Sequence, residues 1–84
     1  MMSIHPIDAE HALLMVLVVD FERLRYLAGI QSTRSYIEHN ECGLAYDDLV
    51  YAIENNAYTP SPEALCLIKK AGEMMGIEYP NLSC

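Results

Sequence analysis

Two pairs of residues have the types and spacing that could support chemistry, His39 with Cys42 and Asp47 with Asp48. His39 and Cys42 are three residues apart and could supply two metal ligands, but a zinc site needs three or four ligands and Cys66 is remote. Asp47 and Asp48 are adjacent, so on a helix they point about 100° apart and cannot share one proton-transfer step. We therefore expect no metal site, no cofactor and no catalytic residue.

Motifs that bind phosphate, calcium or nucleic acid are also missing from the sequence. It contains no glycine-rich phosphate loop, no motif that pairs a nucleophile with a base, and no alternating acids followed by glycine. The helix start of acyl carrier proteins needs a serine between Asp and Leu. The nearest match here is Asp47-Asp48-Leu49, which has no serine, so the sequence does not fit that class. Neither central helix is basic, as a DNA-reading helix would be. These features favour a binding protein over an enzyme.

The most informative feature of the sequence is a block of acids between Arg34 and Lys69. This block holds six carboxylates and no Lys or Arg, in a chain with twelve acids, five bases and a net charge of −7. The six are Glu38, Glu41, Asp47, Asp48, Glu54 and Glu63. A surface this negative repels phosphate backbones and anionic lipids, so we expect a basic protein surface as partner, and neither nucleic acid nor membrane. The alternative is an acidic surface that serves solubility alone.

Length and cysteine usage indicate one small intracellular domain. With 84 residues, 52% of them apolar, the chain fits a single domain over residues 1–84 that buries roughly 60–65% of its unfolded surface. Cys42, Cys66 and Cys84 match neither a disulfide framework nor a zinc motif, so we expect free thiols and a cytoplasmic location. The first five residues lack the positive region of a signal peptide. The longest apolar run is far shorter than the roughly 20 residues that span a bilayer.

The hydrophobic pattern predicts an all-α, compact bundle of about four helices without a sheet. The first helix is predicted from Pro6 to Ala28, with Gly29 as its stop. Its centre, residues 13–19, is apolar on every side, which predicts burial nearly all round. A buried strand competes with this helix because the segment is rich in valine, but no second strand is evident to pair with it.

Three further helices follow from capping and turn signals. They run from Ser32 or Thr33 to about Asn40, from about Leu44 to Asn55, and from Ser61-Pro62 to Met75. Serine at the N-cap followed by proline is a strong helix start. Gly43 is expected to precede the third helix and Gly76 to close the fourth. We expect Tyr36 and Ile37 to face the core with Ile30 or Leu44, and the tail to pack back through Tyr79 or Leu82.

A helical wheel of the third helix separates a core side from an acidic side. The core side comprises Ala45, Leu49, Ala52 and Ile53, flanked by Tyr46 and Val50. The opposite side comprises Asp47, Asp48, Glu54 and Asn55, with Tyr51 near its centre. A tyrosine among carboxylates is typical of an interface, because the ring can anchor a partner while the charges steer its approach. The alternative is that Tyr51 folds down against a neighbouring helix.

Other residues could extend this acidic side. Tyr58 in the next loop would enlarge it, and Glu38 and Glu41 would border it if the chain around Gly43 brings the two central helices together. Glu63 lies in the first turn of the last helix, where an acid has a local electrostatic role. Glu63 is therefore not a candidate contact residue.

The segment from Tyr36 to Leu49, with its run Glu38-His39-Asn40-Glu41-Cys42-Gly43-Leu44-Ala45, resembles the MafI family of bacterial immunity proteins. The resemblance continues through the Ser61-Pro62 helix to Ile77 and covers about half of the chain. Members of that family are made beside polymorphic secreted toxins and protect the producing cell by binding the toxin's C-terminal domain. Many such domains are nucleases with basic clefts. The resemblance thus implies a cognate toxin domain with a basic surface as partner.

Two functions remain open at this stage. The preferred one is an immunity protein that covers a basic toxin site through Tyr51, Asp47, Asp48 and Glu54, with Glu38 and Glu41 flanking. The alternative is a small acidic interaction or regulatory module that forms a homodimer through its apolar first helix.

Overall fold

Five α-helices make up the secondary structure of residues 6–77, the part of the chain that the computed structural model describes. They are α1 (Pro6–Val19), α2 (Phe21–Leu24), α3 (Ile30–Glu38), α4 (Cys42–Glu54) and α5 (Pro62–Met74). No strand occurs between residues 6 and 77, so the prediction of an all-α bundle is confirmed. The predicted packing of Tyr79 or Leu82 concerns residues outside this range.

Local signals set the ends of α5 as predicted. Ser61 is extended, with φ −66° and ψ 160°, and its hydroxyl accepts a hydrogen bond of 3.2 Å from the N–H of Ala64. Pro62 occupies the first helical position, where its missing N–H costs nothing. Gly76 follows the helix with φ 76°, a left-handed conformation that glycine adopts without strain.

The helix α4 begins earlier than the sequence suggests. Cys42 and Gly43 form its first turn, so Gly43 does not separate the two central helices. The turn before it is made by Asn40, whose φ of 63° lies in the left-handed region that asparagine tolerates. Asn56, two residues after the end of α4, has the same left-handed conformation, with φ 60°. The connection between α3 and α4 is therefore very short.

The predicted first helix, residues 6–28, is interrupted at Asp20. The backbone there has φ −109° and ψ 29°, so α1 ends at Val19 and α2 is a single turn. The side chain of Asp20 is almost fully buried and accepts hydrogen bonds from the Tyr58 hydroxyl at 2.5 Å and the Ser61 N–H at 3.0 Å. A buried carboxylate needs such hydrogen-bond donors. The helix departs from regular geometry at Asp20, the residue that accepts these hydrogen bonds.

The expectation that α1 is covered nearly all round is wrong. Leu13 and Val16 are fully buried, but Val18 is 66% exposed and Met15 is 36% exposed. The reason is that α1 packs mainly against α5, with smaller contacts to α3 and α4, which leaves one apolar side of α1 in solvent. Val16 belongs to the core and is not available for contact with another molecule.

Small side chains hold the helices close together. Ala9 and Ala12 in α1 and Ala64 and Ala71 in α5 are all buried, and their size permits close helix packing. At Gly72 of α5 an added Cβ atom would lie only 2.8 Å from ring atoms and the hydroxyl of Tyr46. Tyr46 is itself 2% exposed. The tyrosine thus fixes α4 against α5 and sets which side of α4 faces solvent.

The cysteines differ from the expectation of three free thiols. Cys42 is a buried free thiol in the first turn of α4. Its pKa is raised by burial and, to a smaller extent, by the charge of Glu10. Cys66 is disulfide-bonded, so the expectation is wrong at this position.

Candidate partner-binding surface

The solvent side of α4 carries a stripe of residues spaced three and four apart, which we call the α4 face. Its members are Leu44, Asp47, Asp48, Tyr51, Glu54 and Asn55. The opposite side of the helix is core: Ala45, Tyr46, Leu49, Val50 and Ala52 are buried and Ile53 is half-buried. The helical-wheel prediction of the two sides of α4 is therefore confirmed. It works because the 3.6-residue period of this helix is regular from Cys42 to Glu54.

Tyr51 lies at the centre of the α4 face and is 70% exposed. The alternative, in which its ring folds down against a neighbouring helix, is wrong. Asp47 is one turn before Tyr51 and Glu54 is one turn after it, and both acids are exposed. An exposed aromatic ring between two carboxylates loses little side-chain entropy when a partner covers it, and it offers both apolar area and a hydroxyl.

Leu44 also belongs to this surface, which contradicts its predicted place in the core. Its side chain is 46% exposed. The signal was present in the sequence, since Leu44 lies three residues before Asp47 and seven before Tyr51. It was missed because α4 was expected to begin at Leu44, where a helical phase cannot yet be assigned. Leu44 and Tyr51 together form an apolar centre for the α4 face.

The acids of the α4 face have no ion-pair partner among residues 6–77. None of Asp47, Asp48 and Glu54 forms an ion pair with another residue of the described range, where the two ion pairs join Asp20 to Arg23 and Glu22 to Arg25. The field of this surface is felt inside the molecule: the pKa of Tyr46 is raised first by burial and then by the charge of Asp47. The negative charge therefore remains available to a partner.

Two members of the α4 face also have roles within the fold. Asp48 is half-buried and accepts a hydrogen bond of 3.2 Å from the hydroxyl of Thr33, which joins α4 to α3. The side-chain amide of Asn55 donates a hydrogen bond of 2.8 Å to the Tyr51 carbonyl at the end of α4. The side chains of Asp47 and Glu54 form no such bonds with residues 6–77 and are freer to contact a partner.

Glu38 and Glu41 lie at the junction of α3 and α4, and both are exposed. Glu41 immediately precedes α4, and its carbonyl accepts the N–H of Leu44 at 3.1 Å. It therefore lies directly before the first turn of α4. Its carboxylate also lies at the positive end of the helix dipole, where an acid is stabilising. Glu38 is the last residue of α3 and lies beyond the stripe on α4.

Tyr58 does not extend the surface, and the prediction that it does is wrong. Its side chain is 3% exposed because the loop after α4 turns inward and delivers the hydroxyl to Asp20. Burial raises the pKa of Tyr58, and the hydrogen bond and charge of Asp20 raise it further. The sequence feature that indicates this contact is Asp20, an acid that directly follows an apolar run. If such an acid is buried with the run, it needs a hydrogen-bond donor.

Asp20 is held in its charged form by the groups around it. Burial alone would raise the pKa of its carboxyl, but hydrogen bonds from Tyr58 and Ser61, with the charge of Arg23, hold it below its usual range. Oδ1 of Asp20 is buried without a hydrogen bond and faces Nε of Arg23 at 3.7 Å. This cluster fastens the start of α5 to the end of α1.

The metal-ligand pair considered from the sequence is not assembled into a larger cluster. The Nδ1 atom of His39 lies 2.8 Å from the carbonyl of Ser35, and Cys42 is buried. Among the residues that the structure describes, no three His, Cys, Asp or Glu side chains are grouped to hold a metal ion. None of the five helices in this range has the length and apolar character that a bilayer crossing requires.

Comparison of the chain with models of protein families, with curated proteins and with solved structures finds no match in any of the three.

Proposed function

We propose that this protein is an immunity protein that binds and neutralises the C-terminal domain of a cognate secreted toxin through the α4 face. The observation that supports the proposal best is Tyr51, which is 70% exposed between Asp47 and Glu54, two acids that form no ion pair with residues 6–77. A surface side chain of this size and polarity among like charges favours contact with a basic partner. The resemblance of residues 36–49 to the MafI family supplies the class of partner.

The arrangement divides the work of binding between charge and shape. The acids raise the rate of encounter with a basic surface, by as much as about 10–1,000-fold at low ionic strength. The apolar centre, Leu44 and Tyr51, then sets how long the complex lasts, since buried anchors govern the off-rate. A stable interface needs about 800 Å² from each partner, so Glu41 and Glu38 would have to contribute at its rim.

A nuclease is the toxin class that the charge favours. Nuclease clefts are basic because they hold a phosphate backbone, and a row of carboxylates can occupy the same positions. Asp47, Tyr51 and Glu54 follow one another along one side of the helix. They therefore present one negative charge on each side of the tyrosine ring. We infer that the protein covers the substrate cleft and excludes nucleic acid from it. No enzymatic step by this chain is needed.

The proposal places the protein in the cytoplasm, where an entering nuclease would meet nucleic acid. Disulfides are rare in that compartment, and Cys66 is disulfide-bonded here. Cell fractionation with a count of free thiols tests this part of the proposal. We expect the protein in the cytoplasmic fraction, whereas its recovery from the periplasm would contradict the cytoplasmic location.

The proposal is tested by co-expression with the C-terminal domain of a polymorphic toxin encoded beside the gene. The wild type should restore growth, and the double variant Asp47→Lys/Glu54→Lys should not, because two attractive contacts become repulsive. The matched control is Glu63→Lys/Glu73→Lys, which makes the same change in net charge at two exposed positions of α5. Circular dichroism should show equal helicity for all three proteins.

If the Asp47/Glu54 double variant protects as well as the wild type, the α4 face is not the contact surface. If the control variant also fails to protect, the loss of protection is caused by the change in net charge and not by the change in the α4 face.

A further inference from the structure

An apolar groove lies where α1, α2 and the first turn of α3 meet, and we call it the α1 groove. Its cavity measures about 200 Å³ and is lined by Leu17, Phe21, Leu24, Arg25, Ile30, Gln31 and Arg34. A more open depression of about 640 Å³ continues from it along the outer side of α1 past Leu14 and Val18. The cavity is large enough for one bulky side chain, and the depression beside it could take the residues next to that side chain.

The apolar side chains around the α1 groove are in solvent. Phe21 is 52% exposed and Val18 is 66% exposed, and Leu14 is half-buried beside them. Contiguous exposed apolar side chains are uncommon on a small monomer and usually mark a site of interaction. Part of α1 therefore has the character of an interface.

Two arginines line the α1 groove. Arg34 lines both the cavity and the depression. It is exposed, and its side chain forms no ion pair or hydrogen bond with the described residues. Arg25 is held by Glu22 at 3.1 Å and lies over the ring of Tyr26 at 4.6 Å. An occupant of the groove should therefore be apolar at its centre and acidic at its edge, with Arg34 as its ion-pair partner.

The α4 face has this composition, and we propose that the α1 groove of one copy takes the α4 face of a second copy. Tyr51 of the second copy enters the cavity, and Asp47 or Glu54 pairs with Arg34. Each surface supplies what the other lacks: the groove has an unpaired cation among apolar side chains, and the face has unpaired acids around an exposed ring. Both surfaces are unpartnered within the described part of a single copy.

A head-to-tail arrangement follows from the position of the charges. A two-fold dimer that pairs two α1 grooves would give Arg34 no acid as a partner from the lining of the other groove, because no Asp or Glu lines it. The α4 face and the α1 groove share no residue, so one copy can use both at once. Contacts between two different surfaces produce open chains unless the rotation closes a ring. The protein is therefore expected to assemble progressively with concentration rather than to stop at two copies.

Sedimentation equilibrium of the purified protein, from micromolar to millimolar concentration, tests this arrangement without any toxin. The mean mass of the wild type should rise beyond that of a dimer. Arg34→Glu should weaken association at least tenfold, and so should Tyr51→Ala. The control for the first variant is Lys70→Glu, which makes the same charge change at an exposed position of α5 and should associate as the wild type does.

Mixing two variants distinguishes two unlike surfaces from one self-complementary surface. Arg34→Glu has a defective groove and an intact α4 face, whereas Asp47→Lys/Glu54→Lys has the reverse. Each alone should stay monomeric, and their mixture should form a one-to-one complex that grows no further.

A wild type that remains monomeric at millimolar concentration would overturn the inference. So would a closed dimer that is insensitive to Tyr51→Ala, which would indicate pairing of α1 with α1, or a mixture of variants that stays monomeric. Because the experiment contains only this chain, its failure leaves the proposed binding of a toxin untouched.

Discussion

The hydroxyl of Tyr58 donates a hydrogen bond of 2.5 Å to Oδ2 of Asp20, a residue 38 positions earlier in the chain. Both side chains are buried, and the contact joins the loop before α5 to the end of α1. It explains two features that the local sequence obscures, the break between α1 and α2 and the inward turn of the loop after α4.

Tyr58→Phe should lower the free energy of unfolding by about 1.5–3 kcal/mol, the range for a hydrogen bond to a charged group. The ring still fills its space, but Asp20 loses one of its two hydrogen-bond donors. Urea unfolding followed by circular dichroism measures the change. The control is Tyr51→Phe, which removes a hydroxyl from an exposed ring and should change stability by less than about 0.5 kcal/mol. Equal effects of the two substitutions would contradict the role of the Asp20 contact.

Stability should depend on pH through Asp20. Because its carboxyl has a lowered pKa in the folded protein, the contribution is fully present above its unfolded pKa of about 3.9 and is lost as pH falls through the folded value. The wild type should therefore be more stable than Asp20→Asn at neutral pH, and the difference should shrink as the pH falls below about 4. Urea midpoints of both proteins over this range provide the measurement. A difference that stays constant would show that the charge of Asp20 does not contribute.

Gly72→Ala should destabilise the protein although alanine normally favours a helix. The added Cβ would lie 2.8 Å from the ring of Tyr46, and overpacking of this kind costs about 1–3 kcal/mol. The control is Gly43→Ala, also within a helix, where nothing lies within 4 Å of the new atom. That substitution should be neutral or stabilising by up to about 1 kcal/mol. Thermal unfolding of both variants measures the contrast, and equal melting temperatures would contradict it.

Two valines in α1 should respond differently to the same substitution. Val16 is fully buried and Val18 is 66% exposed. Val16→Ala removes two buried carbon atoms and leaves a cavity, which should cost about 2–3 kcal/mol. Val18→Ala should change stability by less than about 0.5 kcal/mol. Denaturant unfolding distinguishes them, and a large loss at Val18 would mean that the outer side of α1 is covered.

In binding to the toxin domain, the acids of the α4 face and the side chain of Tyr51 should affect different rate constants. Tyr51→Ala should cost at least about 2 kcal/mol, or roughly thirtyfold in affinity, and should act mainly on the off-rate. Asp47→Asn with Glu54→Gln should act mainly on the on-rate and should reduce its salt dependence. Surface plasmon resonance at two ionic strengths measures both rates. An unchanged off-rate for Tyr51→Ala would remove Tyr51 from the contact.

Local sequence signals predict the parts of this fold that depend on neighbouring residues. Ser61 and Pro62 begin α5 because an N-cap and a proline act within one turn. The outward position of Tyr51 follows from the regular period of α4, whose two sides differ strongly in polarity. These features hold whatever the helices pack against.

Contacts between distant segments could not be predicted from local patterns. Val18 is exposed and Val16 is buried because of where α5 lies. When a helix is apolar on every side, its sequence does not indicate which side faces the neighbouring helix. The burial of Tyr58 depends on Asp20, which only the folded chain brings near. The same limit applies to the α1 groove, whose lining residues come from three helices.

The pairing of α1 with α5 also has a consequence for how the protein is made. The most apolar helix is synthesised first, and its main partner begins only at Pro62. Residues 20–61 lie between them, and at ~5–20 residues per second their synthesis takes about 2–8 s. During that interval α1 lacks its main covering helix, so nascent or truncated chains that end before α5 should be the form most prone to aggregate or to bind chaperones.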